Sequence, residues 1–340
     1  MKAIVYRADK GIVAETVPMP EIDDDQVLVQ VANTGFCGSD HSLIRSGGLM
    51  DGYILGHEVS GTIVETGKNV QGVVEGTRVT IRPSYCGTCA DCKAGRPYFC
   101  QNSRRSIGIG DLPGAFAEFV VVFPQMLIPV PGGVDSRNAA LAEAFAASLH
   151  AIACVGKTSG ATLVIGGGPI GLAMIRLLNV LNFYPVVLSE PVKEKRNLGL
   201  RLGADYVVDP NSDDMQHIAF ASTQGKGFEI VFECSGVPEL IQPCLDTAAR
   251  GGRICIVSMT YATATIAPIT FNLKEVWLTG SYSNTHEENR RILNWMSEGK
   301  LDGKPLITDL IGLEDLPGVY AERIETGKAV KVMVKIGEEF

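Results

Sequence analysis

No stretch of this 340-residue sequence stays apolar for the length that a bilayer crossing demands, so nothing in it reads as spanning a membrane. The amino terminus, Met1-Lys2-Ala3-Ile4-Val5-Tyr6, lacks the apolar centre and small-residue cleavage site of a secretion signal. It alternates like a strand instead, which points to the cytoplasm. No basic stripe interrupts the mixed charges, and a formal charge of −8 repels phosphate backbones, which argues against nucleic acid as a partner. Internal repeats and low-complexity segments are also missing, which excludes a repeat array.

What is present belongs to a soluble globular protein: 46% hydrophobic and 20% charged residues, over a length that favours two domains. Of nine cysteines, four crowd between positions 86 and 100 and five are scattered. In a cytoplasmic chain that distribution fits metal binding better than a disulfide framework.

From residue 162 onward, short apolar runs alternate with helix-length segments, at 162–165, 186–189, 206–208, 230–233, 253–257 and 276–280. Six such runs describe a doubly wound parallel sheet, and their apolar character suits strands covered on both faces. The chain before this region has a different texture, with alternating strands at 27–31, 59–64 and 117–122 punctuated by Gly and Pro, the signs of a β-rich domain. A helical pattern at 139–155 links the halves. Helices are expected near 287–298 and 313–324, with a closing strand at 330–336 that returns to the first domain. The expected division is therefore 1–150 with 287–340, and 151–286.

Leu163-Val164-Ile165 runs directly into Gly166-Gly167-Gly168-Pro169-Ile170-Gly171, a GxGxxG set between a strand and the amphipathic run 172–181. Gly166 would make the tight turn, Gly168 would admit a pyrophosphate against the backbone, and Gly171 would permit close helix packing. Pro169 and Ile170 open the helix whose amino terminus would face the phosphates. The motif alone also describes any glycine-rich turn. Here the next strand ends at Ser189-Glu190, about twenty residues on, where a carboxylate accepts hydrogen bonds from ribose hydroxyls. Glu190 favours NAD over NADP, while Lys193 and Lys195 keep the phosphorylated cofactor open.

Cys86, Cys89, Cys92 and Cys100 fall on a segment rich in turn residues that can wrap one ion. Four thiolates close a tetrahedral sphere around zinc and leave no position for substrate, so this ion would be structural. A redox CxxC pair would not need four thiols. The spacing also resembles an iron-sulfur loop, but no proline follows Cys100 and the setting is β-rich.

A second set of ligand-type residues lies apart from that lobe: Cys37 in Gly35-Phe36-Cys37-Gly38-Ser39-Asp40, His57 with Glu58 after Gly56, and Glu143 in Leu141-Ala142-Glu143. Singly, each has a bland alternative: a small buried thiol, a satisfied core histidine, a surface charge. In this order, with the cysteine lobe and the glycine motif, they resemble the zinc-containing medium-chain alcohol dehydrogenase family over nearly the whole chain. The segments Ala115-Phe116-Ala117-Glu118-Phe119, Phe232-Glu233-Cys234-Ser235-Gly236, Arg250-Gly251-Gly252-Arg253 and Lys331-Val332-Met333-Val334-Lys335 match as well. The sequence is most similar to the polyol and threonine dehydrogenase branch, since Glu143 stands where ethanol-type enzymes carry a third cysteine ligand.

The resemblance implies a GroES-like catalytic domain interrupted by a Rossmann domain, and two zinc ions per chain. It implies that Cys37 and His57 bind the catalytic zinc, joined by Glu143 or Glu58 and a water that substrate displaces. Zinc would favour the alkoxide of a small secondary alcohol, a polyol, sugar alcohol or sugar acid, and NAD would take its hydride. Ser39 fits the start of the family's proton relay, and Asp40 the carboxylate that orients His57. Where many relatives place a relay histidine, this chain has Ser42, with His41 one residue earlier, so either His41 or water finishes the relay. Leu43 and Ser281 stand where sorbitol dehydrogenases carry an aromatic residue and an arginine, which weakens a sorbitol assignment. Segments 43–53 and 281–285 are expected around the substrate, with Arg45 either reading an acidic group or solvated. The family also implies a homodimer or homotetramer paired through the 276–280 strand. The rival readings are an L-threonine-type or sugar-phosphate dehydrogenase, a zinc-free reductase of the same superfamily, and a non-catalytic protein on the same fold. The last two predict damaged ligand sets, and both sets are whole.

Overall fold

β-Branched runs separated by glycine turns build the first of two units, and a computed structural model describes residues 1–340, the side chains of residues 215, 216 and 220 excepted. This unit comprises Met1–Glu143 and Thr285–Phe340; the second comprises Ala144–Asn284. In the first, a seven-stranded sheet runs in the order Ile307–Gly312, Lys331–Lys335, Val27–Gly35, Glu58–Thr66, Arg78–Ile81, Leu127–Pro129, with Phe119–Val122 also paired to Val27–Gly35. Its core is valine-rich: Val27, Val29, Val31, Val59, Val79, Val120 and Val122 pack together with Ile63, Ile81 and Met126. Alternating side chains of the pleated strands put these residues on one face.

The strand expected at 27–31 is longer, Val27–Gly35, and its extra length delivers the chain to Cys37. The helix expected at 313–324 is instead three short pieces: Leu313–Asp315, Leu316–Val319 and a wider π turn Tyr320–Ile324. Pro317 lacks an amide donor and Gly318 carries no side chain to pack, so a regular ladder does not propagate. The π turn brings the Tyr320 ring to 5.8 Å from Phe36.

The second unit is a six-stranded sheet, every pair parallel, in the order Tyr206–Val208, Val186–Ser189, Thr162–Ile165, Phe228–Glu233, Ala248–Ile256, Trp277–Gly280. In sequence terms this is 3-2-1-4-5-6, the doubly wound order whose switch point lies beyond the first strand. All four residues of Thr162–Ile165 and of Val186–Ser189 are buried, which is why these strands read as continuous apolar runs. The unit boundary falls inside the 20-residue helix Ser136–Val155. By length and composition this helix would pass for a membrane span, but most of it is buried within the protein.

Candidate metal and nucleotide sites

Gly35 ends its strand opposite Glu58 in antiparallel register. A side chain at position 35 would meet the Glu58 carboxylate at 2.1 Å, so glycine here is the space into which that carboxylate fits. Two residues on, Cys37 caps the helix Gly38–Ser46, and its backbone N–H donates to Asp40 Oδ2 at 2.9 Å. Gly56 adopts φ +98°, and a Cβ there would lie 2.9 Å from the Phe116 nitrogen. That tight turn aims His57 toward Cys37. Its Nδ1 lies 3.4 Å from Asp40 Oδ1, and its Nε2 3.4 Å from Ser39 Oγ.

The Cys37 sulfur, a His57 ring nitrogen and a Glu58 oxygen lie within 4.8 Å of one another, at the spacing of ligands around one ion. With Asp40 on Nδ1, the His57 nitrogen left for a metal is Nε2. Burial opposes protonation of His57, yet the charge and hydrogen bonds of Asp40, with help from Cys37, hold its pKa well above the ordinary value. A cluster that draws a proton so strongly into a buried place has the electrostatics of a cation site, and the donor set of sulfur, nitrogen and oxygen fits zinc.

Glu58 is fully buried and takes a two-pronged ion pair from Lys331, at 2.7 and 2.6 Å; the same ammonium donates to the Phe36 carbonyl at 3.1 Å. Burial works against the charge of Lys331, but Glu58 and Cys37 more than restore it and raise its pKa. Sequence reasoning matched Lys331 to a family segment and gave it no role; a lysine inside the buried strand KVMVK was the available signal. Glu143 is not brought into this trio. Its carboxylate accepts from Arg82 at 2.9 Å instead, with Arg82 only 4% exposed.

His41 faces Tyr320, Nδ1 to hydroxyl at 3.1 Å, and burial and the nearby Arg45 lower its pKa. Ser42 bonds back to the Gly38 carbonyl at 3.1 Å. Arg45 pairs with Glu325 at 3.1 Å on the surface. Of Ser39, His41 and Ser42, Ser39 alone reaches His57.

The sulfurs of Cys86, Cys89, Cys92 and Cys100 also lie within 4.8 Å of one another. Backbone N–H groups of Thr88 and Cys89 point at Cys86 from 3.4 and 3.3 Å, and with the Thr88 side chain they draw its thiol down to about 6. Such donors favour a thiolate, the form that binds metal.

In the second unit, Gly166 turns at φ +101°, where a Cβ would strike the Ser235 nitrogen at 2.8 Å; at Gly171 a Cβ would lie 1.9 Å from the Gly166 carbonyl. At Gly168 nothing stands within 4 Å, so the space over it is open for a phosphate, beside the amino terminus of the helix Pro169–Val180. Both Glu190 oxygens are held, by the N–H of Gly167 at 2.6 Å and of Val192 at 2.9 Å. This fixes the carboxylate beyond the second strand, where ribose hydroxyls would meet it. Lys195 is half-buried on the helix Lys193–Leu202. The basic residue that structures the loop is its neighbour Arg196, which sequence reasoning passed over: it donates to the Glu190 and Pro191 carbonyls, both at 2.7 Å, and pairs with Asp209 at 3.0 Å.

Comparison with known proteins matches two stretches of the chain. Residues 23–132 match the alcohol dehydrogenase GroES-like domain, and residues 169–298 the zinc-binding dehydrogenase domain. The chain is 31% identical to the 2-dehydro-3-deoxy-L-galactonate 5-dehydrogenase of Pseudoalteromonas atlantica (strain T6c / ATCC BAA-1087), over 92% of each chain. It is 27% identical to the sorbitol dehydrogenase of Bacillus subtilis (strain 168), over 98% of this chain and 97% of that one. A structure from Sinorhizobium meliloti 1021, solved bound to NADP, superposes with a TM-score of 0.90 at 31% identity, over 98% of both chains. Likeness of this extent, carried by both units and by an unbroken set of ligand-type side chains, means that the chain belongs to the zinc-containing medium-chain alcohol dehydrogenases, enzymes that oxidise a CH–OH group with a nicotinamide cofactor.

Proposed function

We propose that this chain oxidises the secondary carbinol of a small polyhydroxylated substrate, a polyol, sugar alcohol or sugar acid, with NAD as acceptor. The reading rests above all on the convergence of Cys37, His57 and Glu58 within 4.8 Å inside the unit that also carries the four-thiol lobe. It assigns Cys37, His57 and one of Glu58 and Glu143 to a catalytic zinc, and Cys86, Cys89, Cys92 and Cys100 to a structural one. When bound, the catalytic zinc lowers the pKa of the substrate hydroxyl and the nicotinamide accepts the hydride. Ser39 takes the hydroxyl proton, since its oxygen lies beside His57 Nε2, and Asp40 keeps the imidazole in the tautomer that leaves Nε2 for the metal. Gly166, Gly168, Pro169, Ile170 and Gly171 seat the pyrophosphate and Glu190 binds the adenosine ribose. Lys195 borders the same loop.

Glu190 is the reason to prefer NAD: a fixed carboxylate there repels a 2′-phosphate. The proposed functional division is 1–150 with 287–340 for catalysis and 151–286 for the cofactor, in a cytoplasmic homodimer or homotetramer. The edge strand Trp277–Gly280, with Trp277 exposed, offers its open ladder to a second copy.

Metal analysis beside a coupled NAD-reduction assay tests the reading. Wild type should carry two zinc ions and reduce NAD with a polyol or sugar acid. Cys37→Ser should lose one ion and its activity while staying folded, and Cys89→Ser should lose the other and its stability. Full zinc content and normal turnover in Cys37→Ser would refute the catalytic assignment, and a strong preference for NADP would refute the role of Glu190.

A further inference from the structure

Within the second unit, the strand Phe228–Glu233 ends on a carboxylate that the proposed chemistry leaves unused. Glu233 is only 1% exposed. Its Oε1 accepts from the backbone N–H of Ser235 at 2.7 Å and of Gly236 at 3.0 Å, and from the Ser235 hydroxyl. Its Oε2 accepts from the hydroxyl of Ser258, which lies just beyond the neighbouring strand Ala248–Ile256. The Glu233 carbonyl takes the Val257 and Ser258 N–H groups as well, at 2.8 and 3.2 Å. One residue therefore ties together the loops that follow two adjacent parallel strands.

The first of these loops is packed on the nucleotide turn. Cys234 N–H donates to the Ile165 carbonyl at 2.8 Å, and a Cβ on Gly166 would meet the Ser235 nitrogen at 2.8 Å. Strand order decides which half of a dinucleotide the loop meets. With the phosphates over Gly168 and the adenosine ribose at Glu190, the adenosine half takes the side of the first and second strands. The nicotinamide half falls across the switch point, at the carboxyl ends of the fourth and fifth strands, where Glu233 and Ser258 lie.

The donors around Glu233 are all neutral. No lysine, arginine or histidine pairs with it among the described residues. The thiols of Cys234 and Cys244 feel its charge; burial, together with Glu233, pushes both up, so they stay protonated and neutral. A buried carboxylate without a counter-ion is uncommon and costs free energy. Tying two loops does not require one: a glutamine amide would accept from the same N–H groups and donate to the Ser258 oxygen. What the carboxylate alone adds is a negative charge in a place where fields are weakly screened.

We infer that the Glu233 carboxylate biases the nucleotide site toward the oxidised cofactor. The nicotinamide ring of NAD carries one positive charge, and the hydride that leaves the carbinol carbon with both bonding electrons cancels it. A fixed negative charge on that side of the sheet strengthens the binding of NAD and leaves that of NADH almost untouched. The equilibrium between alcohol and ketone in solution is unchanged, but the site captures NAD and lets NADH go, which serves oxidation of the alcohol. The inference rests on the dehydrogenase reading and adds the direction that the site favours.

The test is calorimetric titration of the zinc-loaded wild type, Glu233→Gln, Glu233→Met and Ser258→Ala with NAD, NADH and ADP-ribose. Glu233→Gln keeps the hydrogen bonds and removes the charge, so it should weaken NAD at least about fivefold and hold NADH within about twofold. ADP-ribose, which lacks the nicotinamide, should bind as in the wild type and so report an intact adenosine half. Glu233→Met, neutral but without hydrogen bonds, should shift the ratio of NAD to NADH affinity in the same direction, whatever it costs in stability. Ser258→Ala retains the charge, so its ratio should stay within about twofold of wild type. An unshifted ratio in either neutral variant, equal weakening of NAD and NADH, or as large a shift in Ser258→Ala overturns the inference. The predicted shift without turnover of any polyol or sugar acid would overturn the dehydrogenase reading and leave the charge effect standing; a wild type that binds neither cofactor would overturn both.

Discussion

Replacing Lys331 by methionine would strip Glu58 of its counter-ion in a place that water does not reach. Both side chains are fully buried, and the two Nζ–oxygen distances of 2.7 and 2.6 Å describe a pair whose members answer almost wholly to each other. Removing one partner of such a pair leaves an uncompensated buried charge and costs about 3–5 kcal/mol. The Phe36 carbonyl loses its donor as well, so Lys331→Met should fall near the top of that range. Against a typical domain stability of about 5–15 kcal/mol, the variant stays folded but visibly weakened. Replacing both residues is milder, because a neutral pair avoids the desolvation cost that the ions bear. Urea denaturation of wild type, Lys331→Met, Glu58→Gln and the double variant, followed by tryptophan fluorescence, closes the cycle. The coupling should be at least about 2 kcal/mol, with the double variant more stable than the sum of the single losses implies. A cost for Lys331→Met below about 1 kcal/mol, or additivity within about 0.5 kcal/mol, would refute the argument that this pair holds the third candidate ligand in place.

Two glycines of the nucleotide turn should separate packing from binding. Gly171→Ala places a methyl 1.9 Å from the Gly166 carbonyl, so it should lower the melting temperature and abolish NADH binding; Gly168→Ala meets no atom within 4 Å and should weaken NADH binding at an unchanged melting temperature. Fluorescence titration with NADH checks both, and wild-type affinity in Gly168→Ala would remove the phosphate from that position. His286 predicts an acid-side loss of stability. Burial, with the charges of Arg82 and Arg290, lowers its folded pKa to about 4, below the unfolded value of 6.5, so the unfolded chain alone gains the proton as pH falls between them. Stability should drop by about 2 kcal/mol from pH 7 to pH 5, and the drop should shrink in His286→Gln; an identical pH slope in the two proteins contradicts the burial argument.

The sequence alone determined the kind of protein this is. Strand periodicity followed by six apolar runs specifies the two architectures, because burial on one face or on both is written directly into side-chain alternation. The glycine motif and the four closely spaced cysteines were legible for a similar reason: each is a local device, formed by residues a few positions apart on one turn or loop. Tertiary structure decided everything that depends on distant segments meeting. It gave Glu58 to Lys331, 273 positions away, and the room for its carboxylate to Gly35. It gave Glu143 to Arg82 while bringing Cys37, His57 and Glu58 together, and it turned His41 toward Tyr320 on an unanticipated π turn. Spacing along the chain carries no record of such choices, since the partner of a buried charge is settled by which strands lie side by side and which side chains must share a space without water.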